Sequence, residues 1–128
     1  MDIVRQITDN LAIAGQPTLD QLQQLAEAGY RTVMNLRSPQ EIGFLDNEQQ
    51  KVEYLGLCYV NISISNRLSL DDALLAIQQL NDLPKPLLVH CDNGIRSSIL
   101  VLMQVSINHG VKAEDAFQRV ITLGLLSD

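Results

Sequence analysis

The chain has little of several things, and each shortage removes a class of protein. Its 128 residues contain two cysteines, Cys58 and Cys91, too few and too far apart for a disulfide scaffold or a zinc ribbon. Basic residues number 9 against 15 acidic, a net charge of -6, so neither nucleic acid nor an anionic membrane surface is an expected partner, since both call for a basic face. No apolar run reaches membrane-spanning length, and the opening MDIVRQ lacks the basic and apolar pattern of a secretory signal, which makes the cytoplasm the expected location. There is no low-complexity tract. What remains is one compact domain over residues 1–128, with 46% hydrophobic residues to fill a single core.

Short apolar runs alternate with amphipathic ones. IVRQI and LAIA flank Thr8-Asp9-Asn10 as a hairpin or two short strands. Pro17 and Thr18 introduce a helix with Leu19, Leu22, Leu25 and Ala26 on one face, Asp20 in its first turn and Gly29 after its end. RTVMNL reads as a buried strand, Asp46 to Leu55 as a polar amphipathic helix, and LCYVNISI as a further strand. Ser69 and Asp72 begin another helix in the manner of a capping box. Leu87 to Val89 forms a strand, Ser97 to Ile107 a buried helix, and Ala113 to Leu123 the last helix. Alternating strands and helices predict an α/β fold: a mostly parallel sheet of four to five strands with helices on both faces. Ligands of such sheets bind beyond the carboxyl ends of the strands.

One loop emerges there with chemistry in it. In Val89 to Ser98, VHCDNGIRSS, an apolar strand ends at a cysteine, a glycine turns the chain, and an arginine opens a helix. Unpaired N–H groups and the positive end of the helix dipole converge at such a point and favour a thiolate or a bound anion. Cys91 is the candidate nucleophile. Gly94 permits a positive φ, so that the N–H groups of Asp92, Asn93, Gly94 and Ile95 can form an anion-binding nest. Arg96 offers a planar fork for two oxygens of a phosphate or sulfur oxyanion. At a helix start, where the dipole disfavours a cation, that function explains its presence. His90 neighbours Cys91 on a strand, so its side chain takes the opposite face and braces the loop from behind. Arg37, after a predicted strand, either assists Arg96 or pairs with Glu41, the ion pair being the favoured reading. His109 before Gly110 is accounted for by helix capping. Cys58 reads as a small core residue.

HCDNGIRSS resembles the signature of the cysteine-based phosphatases, with four residues between Cys and Arg where those enzymes have five. The shorter spacing is similar to that of the rhodanese sulfurtransferases. From Ile3 to Leu125 the chain resembles the phosphatase-like domain of the beta-lactamase hydrolase-like proteins, within the tyrosine and dual-specificity phosphatase superfamily. The resemblance rests on QITDNLAIAGQPT, VMNLRSPQE, LGLCYVNISI and PKPLLVHCDNGIRSS in that order. It implies a phosphatase-like fold standing alone, where relatives join it to a metallo-hydrolase domain, with a partner acting in trans as an option. It also implies hydrolysis of a phosphate monoester through phosphocysteine, with a small anionic substrate or a phosphoprotein as partner and no metal or organic cofactor. The alternatives are a sulfurtransferase or persulfide carrier using the same cysteine, and an anion-binding module with weak activity.

The resemblance assigns Ser97 a hydrogen bond to the thiolate, while position alone would equally make it a helix N-cap. It asks for an acidic general acid from an upstream loop, yet ISISNRL holds no Asp, which leaves Asp71, at a helix start, and Asp92. Asp92 follows the nucleophile directly and faces either the cradle or water. Across ~6.5 Å it would repel a unit anion by about 0.6 to 2.6 kcal/mol, depending on the effective dielectric. Each charge-assisted hydrogen bond from Arg96 is worth roughly 1.5 to 3, so anion binding is expected to survive. Protection of an oxidised nucleophile by a second cysteine occurs in some of these phosphatases, which makes a Cys58–Cys91 disulfide an expectation to examine.

Overall fold

A computed structural model describes residues 4–65 and 67–123. Ile3, Asn66 and Leu125, over which parts of the sequence reading run, lie outside them. The elements follow in the order β1 (Arg5–Gln6), β2 (Leu11–Ala14), α1 (Leu19–Glu27), β3 (Thr32–Asn35), α2 (Glu48–Tyr54), β4 (Cys58–Asn61), α3 (Leu70–Asp82), β5 (Leu87–His90), α4 (Ile95–Asn108) and α5 (Ala113–Thr122). The strands form one sheet in the order β1-β2-β5-β3-β4. Strand β1 is antiparallel to β2, and the other pairings are parallel. This is the α/β architecture expected, with β5 at the centre.

Side chains along the strands sort by alternation. Leu11, Ile13, Met34, Leu87, Val89 and Cys91 join the core under α3, α4 and α5. Ala12, Ala14, Val33 and Leu88 join the core under α1 and α2. Each helix covers one of these faces and is delimited by its own residues. Thr18 caps α1, accepting from the Gln21 N–H while the Gln21 side chain accepts from the Thr18 N–H. Gly29, at φ 92°, ends the helix as the N–H groups of Gly29 and Tyr30 return to the carbonyls of Ala26 and Leu25, the pattern that leaves few orphan carbonyls. Thr18→Ala is expected to lower stability by about 1 kcal/mol, read as a lower urea midpoint with an unchanged slope. Among the described residues no helix is long and apolar enough to cross a membrane.

Two expectations are corrected here. LCYVNISI forms an edge strand only over Cys58–Asn61, with no fully buried residue in it, and Cys58 is exposed instead of packed in the core. The helix read as Ser97 to Ile107 begins earlier, at Ile95, because Gly94 supplies the turn into it.

Candidate active site

The loop after β5 emerges between the carboxyl ends of β2 and β3. Its first residue is tied to the sheet, Cys91 N–H donating to the Ala14 carbonyl at 3.3 Å, and Asp92 accepts from the Gln16 N–H at 3.1 Å. Gly94 then takes φ 90° and ψ -7° as the N-cap of α4, a left-handed conformation that side chains resist. That turn aims the Gly94 N–H at Cys91 Sγ, 3.0 Å away. Ser97 Oγ lies 3.6 Å from the same sulfur and within 3.1 Å of the carbonyls of Ala14 and Gly94. Of the two readings of Ser97, the N-cap is set aside, since Gly94 occupies that position. The sulfur is enclosed, with Cys91 fully buried.

Other loop donors are met by the loop's own side chains. Asp92 Oδ1 accepts from the Asn93 N–H at 2.8 Å, and Asn93 Oδ1 accepts from the Ile95 N–H at 3.1 Å. Ile95 itself presents an exposed side chain.

Arg96 is 4% exposed and densely paired. Nη1 and Nη2 donate to the two carboxylate oxygens of Glu41 at 2.8 and 2.9 Å. Nη1 also reaches the Ile64 carbonyl at 2.8 Å, and Nη2 the Asp92 carboxylate at 3.0 Å. Nε is the one buried side-chain nitrogen or oxygen among the described residues without a partner. The Glu41 bond raises the Arg96 pKa. In return, Arg96 and the Ser38 N–H hold the Glu41 carboxyl at about 2, against the opposing effect of burial. Burial also works against ionisation of Asp92, yet the bond and charge of Arg96 outweigh it and lower that carboxyl too. Asp92 thus sits half-exposed on Arg96 instead of pointing free into water.

Arg37 adopts the ion pair with Glu41 at 3.3 Å and also donates to Gln16 and to the carbonyls of Ile42 and Gly43. It therefore meets Arg96 only through their shared carboxylate. His90 lies on the face opposite Cys91, as alternation requires. Its Nε2 is 2.6 Å from the carboxylate of Glu48 and its Nδ1 3.3 Å from the Cys91 carbonyl. Asp71 is exposed in the first turn of α3. His109 Nδ1 lies 2.8 Å from the Val105 carbonyl, at the end of α4.

In front of Arg96 an open cavity of about 650 Å³ is lined by Ser38, Glu41, Ile42, Ser63, Ile64, Ser65, Asp92 and Arg96; neither Cys91 nor Asp71 is part of its wall. Sequence reasoning missed three contributors: Glu41 as the partner of Arg96, Glu48 and Gln16. Glu41 alone carried a signal, four residues after Arg37.

Cys58 pairs in register with Thr32, which is level with Leu87. That puts it at the amino end of the sheet, two strands across and four residues down from Cys91, a separation of roughly 16 Å. A disulfide needs Cα atoms within about 7 Å, so the Cys58–Cys91 expectation is abandoned.

A mostly parallel sheet whose central strand delivers a cysteine, a left-handed glycine and an arginine to a helix N-terminus defines a phosphatase-like α/β protein. The chain belongs to the family described as DSP-PTPase phosphatase fused to NAD+ kinase, which it matches over residues 5–121. It is 30% identical over 114 residues to the beta-lactamase hydrolase-like protein of Xylella fastidiosa. That match covers 85% of this chain and 26% of the relative, so the chain spans about a quarter of the length of that protein. Among solved structures, a DUF442 protein of Shewanella putrefaciens is similar at a TM-score of 0.78 and 21% identity, over 94% of this chain and 78% of that one. TpbA of Pseudomonas aeruginosa, solved in complex with pTyr, is similar at 0.67 and 15%, over 90% and 69%. The fold is related to that of the protein tyrosine and dual-specificity phosphatases.

Proposed function

We propose that this protein is a cysteine-dependent phosphoric monoester hydrolase acting in the cytoplasm on a small phosphate ester or a phosphoprotein. The observation that carries the reading is the Gly94 N–H directed at Cys91 Sγ at 3.0 Å, at the same helix N-terminus that holds Arg96. A sulfur so placed is the nucleophile of the reaction. The thiolate attacks phosphorus, the S–P bond forms as the ester P–O bond breaks, and the leaving oxygen takes a proton from solvent water. Water then attacks phosphorus, the S–P bond breaks, and phosphate leaves with the thiolate restored. Arg96 and the loop N–H groups hold the non-bridging oxygens, which requires the anion to replace Glu41 and Asp92 at some of the donors they occupy. The Nε of Arg96 is buried and without a partner, a donor for which no protein group competes.

Proton supply to the leaving group is the weak part of this site. Arg96 lowers the Asp92 carboxyl, which suits it poorly as an acid, and Asp71 is exposed in the first turn of α3. General acids typically contribute about 10² to 10⁴ in rate, so esters with good leaving groups are the expected substrates. Acid quenching during turnover of an activated aryl phosphate, followed by peptide mapping, is expected to find phosphate on Cys91. Turnover that survives alkylation of Cys91 would overturn the assignment.

The four-residue spacing between Cys91 and Arg96, with two carboxylates already on Arg96, supports one competing reading. In it Cys91 accepts a sulfane sulfur and passes it to a thiol, with no general acid. A persulfide mass shift on Cys91 after thiosulfate, without aryl-phosphate turnover, is the result that would favour it.

A further inference from the structure

The Glu48 carboxylate is fully buried at the first residue of α2, a position where acidic side chains ordinarily stay in water beside the helix dipole. Burying a carboxylate is costly unless it is paired, and both oxygens are. Oε1 accepts from Gln16 Nε2 at 2.7 Å, and Oε2 lies 2.6 Å from His90 Nε2. The orientation of the Gln16 amide is settled by its other end, where Oε1 accepts from Arg37 Nη1 at 2.8 Å. Tyr59 is close enough that the charge of Glu48 adds to burial in raising its phenol pKa.

We infer that Glu48 is a positioning residue for the nucleophile, acting through His90. The inference rests on Cys91 being the reactive group, as proposed above. His90 Nδ1 faces only the carbonyl of Cys91, and a carbonyl accepts. That bond exists only when Nδ1 carries a proton. Nδ1 keeps its proton opposite Glu48 in two cases: Glu48 ionised and accepting from Nε2–H of a doubly protonated ring, or Glu48 protonated and donating to the bare Nε2 of a neutral one. With Glu48 in place, Cys91 is held at three atoms: its N–H by Ala14, its carbonyl by His90 and its sulfur by Gly94. A trans peptide points its C=O and N–H in opposite directions. Fixing the Cys91 carbonyl toward His90 therefore turns the Asp92 N–H away from His90, toward the side of the sheet where the sulfur lies. Gln16 strengthens the hold, since its backbone N–H binds Asp92 while its side chain binds Glu48. Without Glu48 the His90 ring is free to turn, and the peptide after the nucleophile loses its orientation.

Glu48→Leu keeps the volume but offers His90 Nε2 neither an acceptor nor a donor. In the full chain it is expected to lower kcat on an aryl phosphate by about tenfold to a hundredfold, the scale of a small misplacement of reacting groups, while KM changes less than about threefold. Iodoacetamide labelling, read on the Cys91 peptide because Cys58 is exposed, should slow as well. A folded variant with wild-type kcat and wild-type labelling overturns the inference. Slower labelling in a protein with no phosphatase turnover would leave the positioning role standing and remove the phosphatase reading. Where Glu48→Leu fails to fold, the wild type decides: ¹⁵N spectra of His90 must show a protonated Nδ1, and a bare Nδ1 with hydrogen on Nε2 alone refutes the scheme.

Discussion

Cys91→Ser leaves a folded protein whose hydrolysis of an activated aryl phosphate falls at least about a thousandfold, the order expected when a nucleophile is removed. Serine is nearly isosteric with cysteine, and at this buried position its hydroxyl inherits partners already in place, the Gly94 N–H and the Ser97 hydroxyl. The melting temperature should therefore change little, since no buried polar group is left unsatisfied. Reactivity is another matter. A serine hydroxyl is a far weaker nucleophile than a cysteine sulfur held in the same surroundings. Oxyanion binding, which depends on Arg96 and the loop, should persist in the variant and be visible as thermal stabilisation by phosphate. Turnover retained in Cys91→Ser would place the chemistry outside this loop.

Glu41→Gln is expected to change the dependence of stability on acid. The folded-state value of about 2 lies below the ordinary 4.5 of a free glutamate. A lowered carboxyl stabilises the folded protein fully above pH 4.5, progressively less as pH falls toward 2, and not at all below it. The shift corresponds to at most roughly 3 kcal/mol, reduced because the side chain remains 26% exposed. The variant should lose about 2 kcal/mol at pH 7 and almost nothing at pH 2, so its acid limb is flatter than that of the wild type. Asp92, lowered in the same direction, keeps a smaller limb in both. Removing the carboxylate also frees the terminal nitrogens of Arg96, so phosphate should stabilise the variant more than the wild type at pH 7. Urea melts at pH 7 and pH 2, with and without phosphate, test both points. Identical acid limbs would mean that the Arg96–Glu41 bond carries no charge energy.

The loop at the centre of these predictions was legible because its signals are local. An apolar run stopping at Cys91, a glycine three residues on and an arginine at a helix start are features of one short stretch, and strand alternation sent His90 to the opposite face without any knowledge of its partner. Partners far along the chain were not legible. Glu41 lies 55 residues before Arg96 and Glu48 lies 42 before His90. Glu48 sits in a polar helix whose sequence looks like a solvated face, and only the approach of α2 to the sheet brings it inside. Cys58 failed for a related reason. An apolar strand is buried at the centre of a sheet and half-exposed at its edge, and strand order is decided by tertiary packing, not by the run itself. Position alone left Ser97 open between a helix N-cap and the sulfur, because the left-handed Gly94 that takes the cap reads in the sequence only as a turn residue.

The separation of the two thiols has a practical consequence. Cys58 is exposed and Cys91 buried, at opposite ends of the sheet. A bulky maleimide dye should therefore attach to Cys58 first and leave the Cys91 loop unmodified. Coupled to a sensor surface through that residue, every molecule would stand in one orientation, with the mouth of the cavity facing the solution.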